Sequence, residues 1–155
     1  MPTPTPQKQL ASFLARYSPG IQKEGRAALR LMQRLVPGAV RLVYDNYNFL
    51  VVGYGPSPKA SEAVLSLAFA PRWFNLCFLQ DGPKLFDPHK LLRGSGKRVR
   101  NVKLTSAVEL STPPVRALIA QALERARVPI DPRGRGRLVI KSISAKQRPR
   151  RPATA

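Results

Sequence analysis

The residues best suited to chemistry are the glycines and basic side chains of residues 94–103. Gly94-Ser95-Gly96-Lys97 is similar in composition to a phosphate-binding loop. A nucleotide-hydrolysing loop needs a glycine five residues before its Gly-Lys pair and a serine or threonine after it, where this chain has Leu91 and Arg98. The segment is also predicted to lead from a helix into a strand, the reverse of the order that points helix N–H groups at phosphate. The pattern therefore excludes a nucleotide-hydrolysing loop at this segment. Anion binding by the glycine N–H groups and Lys97 stays open beside a plain turn.

Positive charge is the strongest functional signal in the chain. There are 27 basic and 8 acidic residues, a net charge of +19. The excess is concentrated in residues 84–103, with a net +6, and in residues 125–155, with a net +9. A charge balance of this kind predicts attraction to polyanions and indicates nothing about the fold.

The two basic segments predict one continuous basic surface if their strands present their basic side chains on the same face of the sheet. Alternation places Arg98 and Arg100 on one face of a strand, and Arg137 and Lys141 on one face of another. Such a surface would contact several phosphates of a nucleic acid or another polyanion, without sequence specificity. A solubilising surface is the alternative. The predicted polyanion-binding residues are Lys97, Arg98, Arg100, Lys103, Arg135, Arg137, Lys141, Lys146, Arg148, Arg150 and Arg151.

A second candidate site consists of aromatic and amide side chains near the predicted strand ends. Such side chains can line a small-molecule pocket or stack on bases, and they can equally be core and turn residues. This alternative function is a metabolite-binding protein. The predicted pocket residues are Tyr44, Asn46, Tyr47, Asn48, Arg72, Trp73 and Asn75.

No constellation of catalytic or metal-binding residues is visible. His89 is the only histidine and has no cysteine or acidic partner at ligand spacing. Cys77 lies in an apolar strand and is interpreted as a small buried hydrophobic residue, because a nucleophile would need a nearby histidine or helix N-terminus. Common hydrolase and transferase sites cannot be assembled from one histidine without paired carboxylates. We therefore expect a non-catalytic binding protein without metal or cofactor, although the sequence leaves an enzyme possible.

Hydrophobic periodicity predicts an α+β domain. Helical stripes follow Leu10–Tyr17, Ile21–Val36 and the region after Thr112, and a short helix is predicted from Asp87 to Gly94. Short connections between β-rich runs favour an antiparallel sheet of about five or six strands, with the N-terminal helices and a C-terminal helix packed on it. The predicted strands are 40–44, 49–54, 63–70, 73–79, 98–104 and 137–143.

The termini differ in composition from the centre of the chain. Residues 1–9 are proline-rich and predict a disordered lead, residues 10–145 a single domain, and residues 146–155 a basic C-terminal tail. No signal peptide or membrane-length apolar run is visible, and one cysteine excludes an internal disulfide. We expect a cytoplasmic protein without membrane contact. The sequence does not indicate the oligomeric state.

Several motifs together resemble the bacterial YdhG-like family, whose general function is unassigned. The similarity extends over residues 10–151. The motifs are Tyr44-Asp45-Asn46-Tyr47-Asn48 with Gly53-Tyr54, Pro71-Arg72-Trp73-Phe74-Asn75-Leu76, Leu85-Phe86-Asp87-Pro88 with Leu91-Leu92, Gly94-Ser95-Gly96-Lys97-Arg98-Val99-Arg100, and residues 141–151.

This resemblance implies a small α+β domain with an antiparallel sheet and packed helices. One branch of the family is linked to iron delivery in a frataxin-like role, which makes an iron chaperone the third functional alternative. Iron ions prefer carboxylate or imidazole ligands, whereas this chain has eight scattered acids, one histidine and a repulsive charge of +19. We therefore do not carry the iron role over to this chain.

Overall fold

The computed structural model describes residues 3–153, which form helices packed on one face of a six-stranded sheet. The helices are α1 (Pro6–Leu14), α2 (Pro19–Leu35) and α3 (Pro113–Glu124), and the strands are β1 (Val40–Asp45), β2 (Leu50–Gly55), β3 (Leu65–Phe69), β4 (Phe74–Phe78), β5 (Arg100–Leu104) and β6 (Leu138–Ile143). The predicted α+β architecture is confirmed. Within residues 3–153, no helix combines the length and the apolar composition needed to cross a lipid bilayer.

Each α-helix begins at a proline that follows a hydroxyl-bearing residue. In α1 the Thr5 side chain accepts a hydrogen bond from the Lys8 N–H at 3.2 Å, and Pro6 needs no partner because it lacks an N–H. This helix starts inside the lead that was predicted to be disordered over residues 1–9. Residues 1 and 2 of that lead lie outside the described residues. The prolines of the lead therefore include a helix start.

The sheet has the strand order β5-β4-β3-β2-β1-β6. Strands β1 to β5 form the antiparallel meander that the short connections predict. The prediction of a wholly antiparallel sheet is wrong at β6, which pairs with β1 in parallel. Residues 105–137 return across the whole sheet from β5 to the opposite edge. A long crossover of this kind, unlike a hairpin, can deliver a parallel strand.

Alternate strand positions face the helices and form the core, and we call this side the inner face. One row of neighbouring inner residues crosses five strands and is almost fully buried: Val43, Val52, Leu67, Leu76 and Val102. Leu14, Met32 and Leu118 contribute the helix side of the same core. Gly25 lets α2 approach closely, because a Cβ there would lie 3.0 Å from Leu14 and 3.1 Å from Phe69.

The helix predicted from Asp87 to Gly94 is absent, and a turn takes its place. The Asp87 carboxylate accepts hydrogen bonds from the N–H groups of Leu91 at 3.0 Å and Leu92 at 2.8 Å. Lys90, which directly precedes Leu91, has a φ of +54°, which is incompatible with a continuing right-handed helix. The aspartate thus accepts backbone N–H groups as expected, but it closes an irregular turn.

Residues 144–153 are packed against the turn between β1 and β2. The Gln147 side chain donates to the Asp45 carbonyl oxygen at 2.9 Å, and the Arg148 N–H donates to the Tyr47 carbonyl oxygen at 2.8 Å. Arg150 is only 4 % exposed, and its guanidinium binds the Asp45 carboxylate at 2.9 Å. The segment predicted as a tail over residues 146–155 therefore contributes a buried ion pair to the domain. Residues 154 and 155 lie outside the described part of the chain.

Candidate polyanion interface

The sheet face opposite the helices, which we call the open face, carries the candidate interface. Neighbouring outward residues of β1 to β5 form a row across it: Tyr44, Val51, Ala68, Asn75 and Lys103. The helices pack against the inner face, and the buried residues of the open face, such as Leu42 and Ala68, do not join the helix-packed core. Tyr44, Val51 and Asn75 are partly exposed and Lys103 is exposed.

Three aromatic side chains lie on the open face. Backbone hydrogen bonds from Asn46 to Phe49 and from Ala70 to Trp73 extend the strand ladders by one position. Alternation then places Phe49 and Trp73 on the same side as Tyr44. Phe49 is 37 % exposed, and Trp73 and Tyr44 are partly exposed. The rings are spread along the face: Phe49 and Trp73 are two strand spacings, or about 10 Å, apart, and Tyr44 and Trp73 are three, or about 14 Å.

Trp73 also contacts a cation. The Lys103 Nζ lies 4.5 Å from the centroid of the indole ring, a distance typical of a cation–π interaction. Arg72, the residue before Trp73, is exposed in the turn between β3 and β4. Positive charge and aromatic surface are therefore adjacent at this end of the open face.

The charged strand residues of the open face are all basic. Among the strand residues of the described chain, Asp45 is the acidic one, and it faces inward, where it is paired with Arg150. Burial raises the pKa of the Tyr44 phenol above its ordinary value, so this ring is neutral near pH 7. Burial likewise raises the pKa of the Cys77 thiol, opposed by a hydrogen bond with Ser66. The charge that the strands themselves contribute to this face is therefore positive.

The first group of predicted basic residues lies at the start of β5. Lys97 and Arg98 are exposed and precede the strand, and Arg100 is half-buried. Arg100 pairs with Phe78, so it lies on the inner face, and its guanidinium donates to the carbonyl oxygens of Gly96 and Val99. The prediction that Arg98 and Arg100 share an exposed strand face is wrong. Lys103 is the basic side chain of β5 that reaches the open face.

A second group lies at the opposite edge of the sheet. Arg135 and Arg137 are exposed before β6, which is five strand spacings, or about 24 Å, from β5. Lys141 falls at a register shift in the β1–β6 pairing, and its Nζ donates to the Pro58 carbonyl oxygen at 3.0 Å. The shift breaks the alternation that was expected to align Arg137 with Lys141. The two basic strands therefore do not join into one continuous surface.

The third group is the C-terminal segment. Lys146, Arg148 and Arg151 are exposed, and the Arg151 Nε donates to the Arg16 carbonyl oxygen at 3.1 Å. Arg150 is the exception and must be removed from the predicted polyanion-binding set, because its guanidinium is buried against Asp45. Exposed and structural arginines therefore alternate within one short run.

The predicted aromatic-amide pocket is distributed over the open face and its turns. Tyr44 and Asn75 share a row, but three strand spacings, or about 14 Å, separate them. The remaining polar members are exposed in two turns: Asn46, Tyr47, Asn48 and Arg72. This arrangement favours a flat contact surface over an enclosing pocket. Phe49 was not among the predicted residues. Its position two residues before Val51, which faces outward, places it on the same strand face and could have identified it.

Metal ligands do not converge in the described part of the molecule. Within residues 3–153, no three or more His, Cys, Asp or Glu side chains are grouped so that they could hold a metal ion. His89 is exposed in the turn that follows Asp87.

Comparisons of the chain with models of known protein families, with curated proteins and with solved structures gave no match. The resemblance to the YdhG-like family therefore stays a prediction from the motifs alone. Any functional assignment depends on the geometry of the molecule itself.

Proposed function

We propose that this protein binds single-stranded nucleic acid across the open face of its sheet. The observation that carries the proposal is the contact of Lys103 with the partly exposed Trp73 ring, on a face that also carries Tyr44 and Phe49 and to which the described strands contribute no acidic residue. Bases stack on aromatic rings regardless of sequence, while basic side chains contact the phosphates. A strand without a complementary partner exposes its bases for this contact, whereas a duplex stacks them internally.

The charge distribution favours a flexible single strand that crosses the face, rather than a rigid duplex that rests on it. The exposed basic residues lie in three groups around the sheet and do not form one flat patch. A flexible strand can pass from Lys103 and Arg72 at one end of the face toward the basic C-terminal segment near Tyr47. Contacts of this kind provide no direct reading of base sequence.

Binding can be followed through Trp73, the only tryptophan of the chain. We expect quenching of its fluorescence by a mixed-sequence single-stranded oligonucleotide, and tighter binding of that strand than of the duplex of equal length. Trp73→Ala should weaken binding by about 1–3 kcal/mol, the contribution of one stacked base. Anisotropy of a labelled oligonucleotide measures the affinity of both proteins.

Lys103→Ala and Lys97→Ala form a matched pair, because both remove one exposed lysine. Lys103→Ala should reduce the slope of log affinity against log salt by about 0.7, the value for one phosphate of a single strand. Lys97→Ala should leave the slope nearly unchanged. Equal effects of both substitutions together with an unquenched Trp73 would reduce the interaction to general charge attraction and contradict the proposed site.

A further inference from the structure

A small polar cavity lies on the inner side of the sheet, away from the open face. It has a volume of about 160 Å³ and is lined by residues from four parts of the chain: Gln33 of α2, Arg41 of β1, Tyr54 of β2, and Arg135 with Gly136 of the loop before β6. This volume is well above the roughly 15 Å³ that one water needs. It is also below the roughly 300 Å³ at which small-molecule pockets begin. The cavity therefore fits an ion-sized group.

The Tyr54 hydroxyl is a buried polar group without a partner. The side chain is 0 % exposed, and its oxygen has no hydrogen-bond partner among the described residues. Burial raises the pKa of this phenol well above its ordinary value, with an opposing effect of Arg41, so the hydroxyl keeps its proton at neutral pH. Buried hydroxyls are normally paired, as Tyr17 is with Phe69 and Leu50. The Tyr54 hydroxyl can therefore donate to a ligand in the cavity.

The charged groups of the cavity are all positive. Arg41 and Arg135 line it, no acidic side chain does, and neither arginine takes part in the ion pairs of the described residues. The Arg41 guanidinium is oriented by one hydrogen bond to the Gly136 carbonyl oxygen at 3.1 Å, which leaves other N–H donors free. Two guanidinium groups and one phenol hydroxyl can donate to a ligand that only accepts.

The loop that carries Arg135 is fixed against the turn after α2. Gly38 has a φ of +79°, and a Cβ at this position would lie 2.0 Å from the Asp131 carbonyl oxygen. Gly136 has a φ of +65°. These two glycines allow the backbones to come into contact, so the walls of the cavity are held together before any ligand binds.

We propose that this cavity binds a phosphate group, held by Tyr54, Arg41 and Arg135. Phosphate oxygens accept several hydrogen bonds at once, and guanidinium groups match them in charge and geometry. The group could be inorganic phosphate or the terminal phosphate of a nucleotide, because both present the same oxygens. This site does not depend on nucleic-acid binding by the open face.

The site is tested by thermal unfolding of the full chain in phosphate and in chloride at equal ionic strength and pH. A tenfold excess of phosphate over its dissociation constant should raise the unfolding midpoint by about 4 °C. Tyr54→Phe and Arg135→Ala should abolish the rise. Arg133→Ala removes an arginine of the same loop that does not line the cavity, and should retain it.

Tyr54→Phe also tests whether the Tyr54 hydroxyl is already hydrogen-bonded to another molecule when phosphate is not present. Because the hydroxyl has no hydrogen-bond partner among the described residues, its removal should leave the midpoint in chloride unchanged or higher. A lower midpoint in chloride would show that water or chloride already pairs with the hydroxyl, and would overturn a site that is specific for phosphate. An equal phosphate effect on Tyr54→Phe, Arg135→Ala and the parent protein would overturn it as well.

A 5′-mononucleotide and its nucleoside distinguish the two sources of phosphate. Stabilisation by the mononucleotide equal to that by phosphate, with none by the nucleoside, supports a terminal phosphate as ligand. Stabilisation by inorganic phosphate alone supports the free ion. A loss of oligonucleotide binding in Trp73→Ala with intact phosphate stabilisation would show that the two sites are independent.

Discussion

Two cation–aromatic pairs lie on opposite sides of the sheet, and they differ in what surrounds the cation. On the inner side, the guanidinium carbon of Arg150 is 5.9 Å from the centroid of the Tyr17 ring. On the open face, the Lys103 Nζ is 4.5 Å from the centroid of Trp73. Arg150 is 4 % exposed and bound to Asp45, whereas Lys103 is exposed.

This difference distinguishes a charge that stabilises the fold from a charge that is available to bind a ligand. A cation removed from water needs a counter-charge and hydrogen-bond acceptors, and Arg150 has both in the Asp45 carboxylate and the carbonyl oxygens of Asn46 and Tyr47. Lys103 remains hydrated and lacks an acidic partner among the described ion pairs, so it can exchange water for a phosphate. Both residues belong to basic runs that look equivalent in the sequence.

Arg150→Met should produce the largest effect on stability. It removes the buried guanidinium and leaves the Asp45 carboxylate, 1 % exposed, with only the half-exposed Arg16 at 3.3 Å. Breaking a buried pair typically costs 3–5 kcal/mol, and the second arginine places the expected loss near the lower end, at about 3 kcal/mol. Urea unfolding measures the change in the free energy of unfolding.

Lys103→Met is the matched control on the open face. Loss of an exposed charge away from the core should change the free energy of unfolding by less than about 0.5 kcal/mol. If the two substitutions cost equally little, the C-terminal segment is not anchored by Arg150, and the comparison between the two pairs fails.

Tyr17→Phe tests the aromatic partner on the inner side with an intermediate effect. The Tyr17 hydroxyl donates to the Phe69 carbonyl oxygen at 2.6 Å and accepts from the Leu50 N–H at 3.1 Å. The substitution keeps the ring beside Arg150 and removes both hydrogen bonds, so we expect a loss of about 1–3 kcal/mol. Tyr47→Phe, at an exposed position, should leave the midpoint of urea unfolding nearly unchanged. Equal midpoints for the two variants would mean that the Tyr17 hydroxyl is not needed.

Local patterns in the sequence predicted most of the elements. The helical stripe from Ile21 to Val36 corresponds to α2, and the short turns correspond to the antiparallel meander of β1 to β5. These signals depend on neighbours within a few positions, where periodicity and turn chemistry act directly. The predicted helix at Asp87 failed for a local reason, because the same carboxylate chemistry can cap a helix or close a turn.

Long-range pairing could not be predicted from such patterns. The partner of Arg150 is 105 positions earlier in the chain, and nothing in a basic run distinguishes the residue that will be buried. The parallel pairing of β6 depends on how the crossover after β5 packs, and its register shift moved Lys141 out of alternation. The open face could be predicted only in part, because its residues were recognised without knowledge of the strand order that separates them.

The smallest expected effect is the difference in how the stability of the two faces depends on pH above pH 10. Burial raises the pKa of Tyr54 on the inner face far above its ordinary value near 10, and raises that of Tyr44 on the open face, where the side chain is only partly buried. A raised folded-state pKa contributes stability that is present below the unfolded pKa and is lost as pH rises toward the folded one. Between pH 10 and 11 the Tyr54 contribution should fall by about 1 kcal/mol, since one proton corresponds to 1.36 kcal/mol per pH unit.

Single substitutions isolate this contribution, because all other side chains are the same in each variant and in the parent protein. Urea unfolding of Tyr54→Phe should show a shallower loss of stability above pH 10 than the parent protein does. Tyr44→Phe should show a smaller change in that slope, because its phenol is less buried. If Tyr44→Phe flattens the pH dependence more than Tyr54→Phe, the open face is the less hydrated of the two faces. A nucleic-acid strand would then have no solvent-exposed aromatic surface on which to stack.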